Sequence, residues 1–73
     1  RLDRRLMSHC TVNGRRHQLE EGETVARLLE RLGVAGRYAL VERNREPVER
    51  SRYEEVKLGE GDRIIVARPV AGG

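Results

Sequence analysis

Val25, Leu28, Leu29 and Leu32 stand at i, i+3, i+4 and i+7, a spacing that lines four apolar side chains along one face of a helix. Thr24 precedes them as a natural N-cap, because its hydroxyl can accept a free N–H of the first turn. Gly33 follows where a left-handed closing residue would stand. The predicted helix is about two to three turns long. A single amphipathic helix in a chain of 73 residues must bury its stripe against something else. One face of a β-sheet is the available partner, which makes the chain a two-layer α+β domain.

The strands are read from alternation. In "HCTVN", Cys10 and Val12 share one face and Thr11 takes the other. Asn13-Gly14 then gives the strongest short hairpin signal, since both central residues of a type I′ turn need positive φ. "RRHQL" returns as the second strand, and Gly22 turns the chain toward the helix. "YALV", Tyr38 to Val41, reads as a third strand with Leu40 and Val41 both buriable. Pro47 ends it at an edge or a bend. Ser51 to Glu60 is polar and irregular, anchored by Tyr53, Val56 and Leu58. "RIIVA" is the last strand, with Ile64 and Val66 facing one way and Ile65 and Ala67 the other, and Pro69 terminates it. Placing that last strand centrally, between the first and third, makes a β-grasp: a mixed four- to five-stranded sheet packed on one main helix.

Size and composition remove several functions. A domain of this length buries only about 60% of its unfolded surface. With no Trp or Phe and only two Tyr, it has little material to enclose a substrate, so a self-sufficient pocket enzyme is disfavoured. There is no apolar run long enough to span a membrane. The formal charge is +3, but residues 1–6, "RLDRRL", supply +2 of it. They lack an apolar core and are no secretory signal. They are expected to be an N-terminal extension or an expression remnant before Met7. From Met7 onward acidic and basic residues alternate, as in "ERNREPVERSRYEE", which reads as a solvated surface and not as a nucleic-acid face. Cys10 is the single cysteine. No internal disulfide is possible, and a cytoplasmic location is expected.

Other chemistry-bearing residues read as structural. His9 and Cys10 are adjacent on a strand and point to opposite faces, and no fourth ligand stands at metal spacing from them and His17. No metal site is expected. Cys10 and His17 can face each other across the hairpin, but a thin core offers no cleft for a nucleophile, and Cys10 reads as a small core residue. Glu20, Glu21 and Glu23 read as a solvated turn whose charge favours the start of the helix. "GEG" at Gly59 to Gly61 lacks the lysine and the following helix of a phosphate loop.

The ending "RPVAGG", Arg68 to Gly73, is harder to explain structurally. Glycine normally serves a turn or a close backbone approach, and a free terminus has no turn left to make. Residues 70–73 therefore read as a flexible tail behind a folded domain of residues 7–69. Frayed small residues at a terminus are also commonly just disorder.

Six stretches, in order, resemble the ubiquitin-like sulfur carrier family, and within it the carriers of thiazole (thiamin) biosynthesis. They are "TVNG" at Thr11, "GETVARLLERLG" at Gly22, Arg43-Asn44, "RSRY" at Arg50, "GDRI" at Gly61 and the final "PVAGG". Tyr53 departs from the family's usual Trp, and Arg43 from a common apolar strand residue. The resemblance implies a protein co-substrate and not an enzyme. The Gly73 carboxylate would be adenylated with ATP, a persulfide would displace AMP, and reductive cleavage would leave a thiocarboxylate. Gly72 and Gly73 suit this, because no side chain obstructs the backbone in a narrow passage.

The partners implied are a ThiF-like adenylyltransferase, a ThiG-like thiazole synthase and a cysteine desulfurase as sulfur source. ATP is consumed by the activating partner, and no cofactor is bound permanently. Nucleic acid and membrane are not expected partners, and the free protein is expected to be a monomer. Ile65 and Ala67 are expected on the sheet face away from the helix, flanked by Arg63 and Arg68 and followed by Val70, as a docking strip. The small subunit of molybdopterin synthase shares the "PVAGG" ending, and another biosynthetic sulfur donor is a further alternative. A ubiquitin-like modifier or binding module, whose Gly-Gly joins a lysine amine, is the other class.

Overall fold

The computed structural model describes residues 8–68. Strands β1 (Ser8–Val12) and β2 (Arg15–Leu19) form a hairpin, followed by helix α1 (Val25–Leu32), β3 (Leu40–Arg43), β4 (Glu46–Val48) and β5 (Arg63–Ala67). The five strands make one mixed sheet in the order β2-β1-β5-β3-β4. β1 and β5 run parallel, and the other neighbours are antiparallel. The last strand is therefore central, as a β-grasp requires.

Local sequence explains the helix. Thr24 Oγ1 accepts the Arg27 N–H at 3.1 Å. At the other end Gly33 adopts φ 75°, and the N–H groups of Gly33 and Val34 return to the carbonyls of Glu30 and Leu29. That pair of bonds is the glycine-closed C-terminal motif that satisfies the last free carbonyls. Val25, Leu28 and Leu29 are buried against Cys10, Val12, Val41 and Ile64 of the sheet, with Leu19, Ala39, Tyr53 and Leu58 completing the core. Leu32, at the end of the stripe, is 40% exposed.

Three local expectations are corrected. The third strand begins at Leu40 and not at Tyr38, because Gly36–Tyr38 forms a 3-10 turn that leaves Tyr38 59% exposed under the Arg37 guanidinium. Pro47 does not end the pairing. It sits opposite Glu42 within β4, where an edge strand tolerates its missing N–H. Glu23 is not part of a solvated turn: it is 2% exposed. Its Oε1 accepts Arg31 Nη1 at 2.6 Å and the Glu20 N–H at 2.8 Å. The helix returns its last-turn arginine over the loop that begins it, so burial of the carboxylate is compensated by a charge.

The two departures from the resembled family have a structural basis. Tyr53 is buried and places its hydroxyl on the Ala39 carbonyl. Arg43 donates through Nε to Asp62 Oδ2 at 2.9 Å. Asp62 also accepts from Asn44 Nδ2 at 3.0 Å and from the Gly59 N–H at 2.8 Å. This cluster ties the β3–β4 turn to the loop before β5.

Candidate functional site

The candidate site is the outer face and the end of β5. Alternation along the strand buries Ile64 completely and Val66 in part, and turns Arg63, Ile65 and Ala67 outward. Ile65 is 40% exposed. The register sets Ala67 opposite Leu40 and Ile65 opposite Glu42, with Pro47 on the far side of Glu42. Leu40 is 54% exposed. Ile65, Ala67, Leu40 and Pro47 thus form an apolar strip interrupted by one carboxylate, over a depression of about 330 Å³.

The sequence-predicted strip of Ile65 and Ala67 is present, and the structure adds Leu40 and Pro47 to it. Leu40 was ambiguous because Leu40 and Val41 are both apolar. The register decides between them by pairing Val41 with the inward Val66. Pro47 became visible only once β4 existed. Arg63 and Arg68 are exposed at either end of β5, and neither pairs with a carboxylate among the described residues. Val70, Gly72 and Gly73 lie outside the described residues.

The end of β5 is held from both sides. β3 pairs along it as far as Ala67. On the other side Asn13, in the β1–β2 turn with φ 52°, sets its side-chain amide against Val66. Oδ1 accepts the Val66 N–H at 2.8 Å, and Nδ2 donates to the Val66 carbonyl at 3.1 Å. Arg68 then leads into residues 69–73.

Among the described residues, the other chemistry-bearing side chains assemble no competing site. Cys10 is buried and sits opposite His17 across the hairpin. Burial, together with the nearby carboxylates of Glu23 and Asp62, pushes its thiol above the ordinary range, which is the opposite of what a nucleophile needs. His17 Nε2 faces Glu23 Oε2 at 3.7 Å beneath the helix. Among the described residues no group of three or more His, Cys, Asp or Glu is placed to hold a metal ion. Among the same residues no helix is long and apolar enough to cross a membrane.

Comparison with known proteins agrees with this geometry. A sequence model of the ThiS family matches residues 8–73. The crystal structure of the thiamine biosynthesis protein ThiS from Geobacter metallireducens superposes with a TM-score of 0.72 at 32% identity, covering 89% of this chain and 99% of that one. Two curated relatives are thiazole synthases, from Paramagnetospirillum magneticum at 37% identity and from Magnetococcus marinus at 42%, each over 62 residues. The match takes in 85% of this chain but 19% of each relative, so the chain spans about a fifth of their length. The fold, the order of motifs and the extent of the family match lead to one conclusion: the chain belongs to the ThiS family.

Proposed function

We propose that the protein is a sulfur carrier of thiazole formation in thiamin biosynthesis, with Gly73 as the reacting residue. The observation that carries this is the ThiS-family match, which extends from β1 through the terminal "PVAGG". The central strand leads directly into that segment, beside an exposed apolar strip suited to docking.

The chemistry follows from the carboxylate. A terminal carboxyl has a pKa of about 3.5, so at neutral pH it is an anion and a poor electrophile. An oxygen of Gly73 attacks the α-phosphorus of ATP in a ThiF-like adenylyltransferase, and pyrophosphate leaves. A persulfide, its sulfur drawn from cysteine by a desulfurase, attacks the acyl carbon and expels AMP. A thiol then attacks the resulting acyl disulfide. The S–S bond breaks, the thiol is oxidised to a disulfide, and the thiocarboxylate remains on Gly73. In this reading the carrier is a protein co-substrate, and its partner enzymes supply the catalytic groups. Its residues present the terminus: Gly72 and Gly73 keep the backbone narrow, while Ile65 and Ala67, with Arg63, Arg68 and Val70, form the docking region.

A ThiG-like thiazole synthase is the proposed acceptor of the sulfur. The two thiazole synthases support this, because each carries a segment like this domain within a much longer chain. ATP binds only in the activating partner, and the carrier works in the cytoplasm as a monomer when free.

The test is intact-protein mass spectrometry after incubation with ATP, the adenylyltransferase and a persulfide source, beside a variant lacking Gly73. Replacement of one oxygen by sulfur, absent in the variant, is the expected result. An unchanged mass with a demonstrably active partner overturns the carrier reading. Conjugation of Gly73 to lysines would instead make the protein a modifier.

A further inference from the structure

Asn13 is required by more than its turn. β1 and β5 pair in parallel at Thr11 with Arg63 and Val12 with Ile64, and the Asn13 N–H donates to the Ile64 carbonyl at 2.9 Å. At Asn13 the backbone reverses through Gly14 into β2. No further β1 residue is available to pair with Val66, whose N–H and C=O face that side of β5. A side-chain carboxamide offers one acceptor and one donor group in the same arrangement as a peptide unit. The Asn13 carboxamide takes both Val66 groups, at 2.8 and 3.1 Å. It extends the ladder by one rung after the backbone has left.

The turn alone does not specify asparagine. A type I′ position accepts Asn, Asp or Gly. Asp offers acceptors only and Gly offers no side chain, so among the three only Asn meets both Val66 groups. We propose that Asn13 is a positioning residue for the C-terminal segment. It clamps the strand at Val66, two residues before Arg68, and so fixes the point from which residues 69–73 depart toward a partner's active site. The catalytic half of this proposal rests on the carrier reading above.

Asn13→Gly in the full chain separates the roles, because glycine keeps the positive φ of the turn and removes only the clamp. Two readouts are used: amide hydrogen exchange at Val66, and steady-state adenylation by the activating enzyme with the carrier as varied substrate. The expected result is a hairpin with unchanged protection and Val66 exchange faster by about tenfold, the effect of losing the side-chain hydrogen bonds that hold one edge of the strand. kcat for adenylation falls several-fold while KM is unchanged, since docking of the body persists and productive placement of the terminus becomes rarer. A merely destabilised carrier would raise KM and leave kcat alone. Wild-type exchange at Val66 overturns the clamp. Faster exchange with unchanged kcat overturns its role in the reaction. A wild-type chain that is never adenylated overturns the carrier reading and the catalytic half together, and Val66 exchange still decides the clamp.

Discussion

The Tyr53 hydroxyl donates to the Ala39 carbonyl at 2.8 Å, and both residues are buried. Tyr53 closes the 3-10 turn that begins at Arg50, and Ala39 closes the one that ends at Tyr38. One bond thus joins the two irregular segments that flank β3 and β4. Tyr53→Phe keeps the ring and leaves a buried carbonyl without a partner. A loss of about 1–2 kcal/mol is expected, read from urea unfolding midpoints at unchanged slope.

Asp62 predicts an acid-sensitive step in stability. Burial is the largest influence on its carboxyl and opposes ionisation. The hydrogen bonds from Asn44, the Gly59 N–H and Arg43 together outweigh it and hold the pKa below the ordinary value. A carboxyl depressed in the folded state stabilises the protein above its unfolded pKa of about 4, and that contribution is lost as pH falls through the folded value. Asp62→Asn should lie below wild type by about 1–2 kcal/mol at neutral pH. The gap should narrow below about pH 4. A constant gap across an acid series of denaturation curves contradicts the assignment.

The β3–β4 turn contains a correctable strain. Asn44 and Arg45 have φ of 52° and 72°, the type I′ geometry that favours Asn-Gly. Asn44 suits its place, and its Oδ1 also accepts the Arg63 N–H at 2.9 Å. Arg45 carries a side chain in a conformation that suits glycine. Arg45→Gly is expected to stabilise by about 0.5–1 kcal/mol, the turn relief exceeding the entropy cost of a freer unfolded chain. Thermal midpoints measure it.

Ile65 tests the docking strip. It is half-exposed and lies outside the buried cluster but stands opposite Glu42, so Ile65→Glu is expected to cost about 1 kcal/mol of stability and leave the fold intact. Burying a carboxylate in an apolar contact should weaken binding to the proposed adenylyltransferase partner by about tenfold or more. Titration calorimetry with the two purified proteins gives the Kd. An unchanged value removes Ile65 from the interface.

Local rules determined much of this protein from its sequence. Thr24 and Gly33 bounded the helix, because a cap bond and a left-handed residue act within one turn of the chain. Asn13-Gly14 set the hairpin, and the period of two along β5 assigned Ile64 and Val66 to the core and Ile65 and Ala67 to the outer face. The candidate site was legible to that extent. The remaining features depended on groups brought together from distant positions. Glu23 carries the same letters as a surface turn, and only the returning Arg31 makes its burial tolerable. Arg43 looked misplaced until Asp62 stood beside it. Leu40 and Val41 were interchangeable until pairing with β5 chose between them. Asn13 announced a turn, but its second role required Val66, 53 residues away. Backbone conformation is encoded by near neighbours. The partner of a buried polar group is decided only when the tertiary fold supplies one.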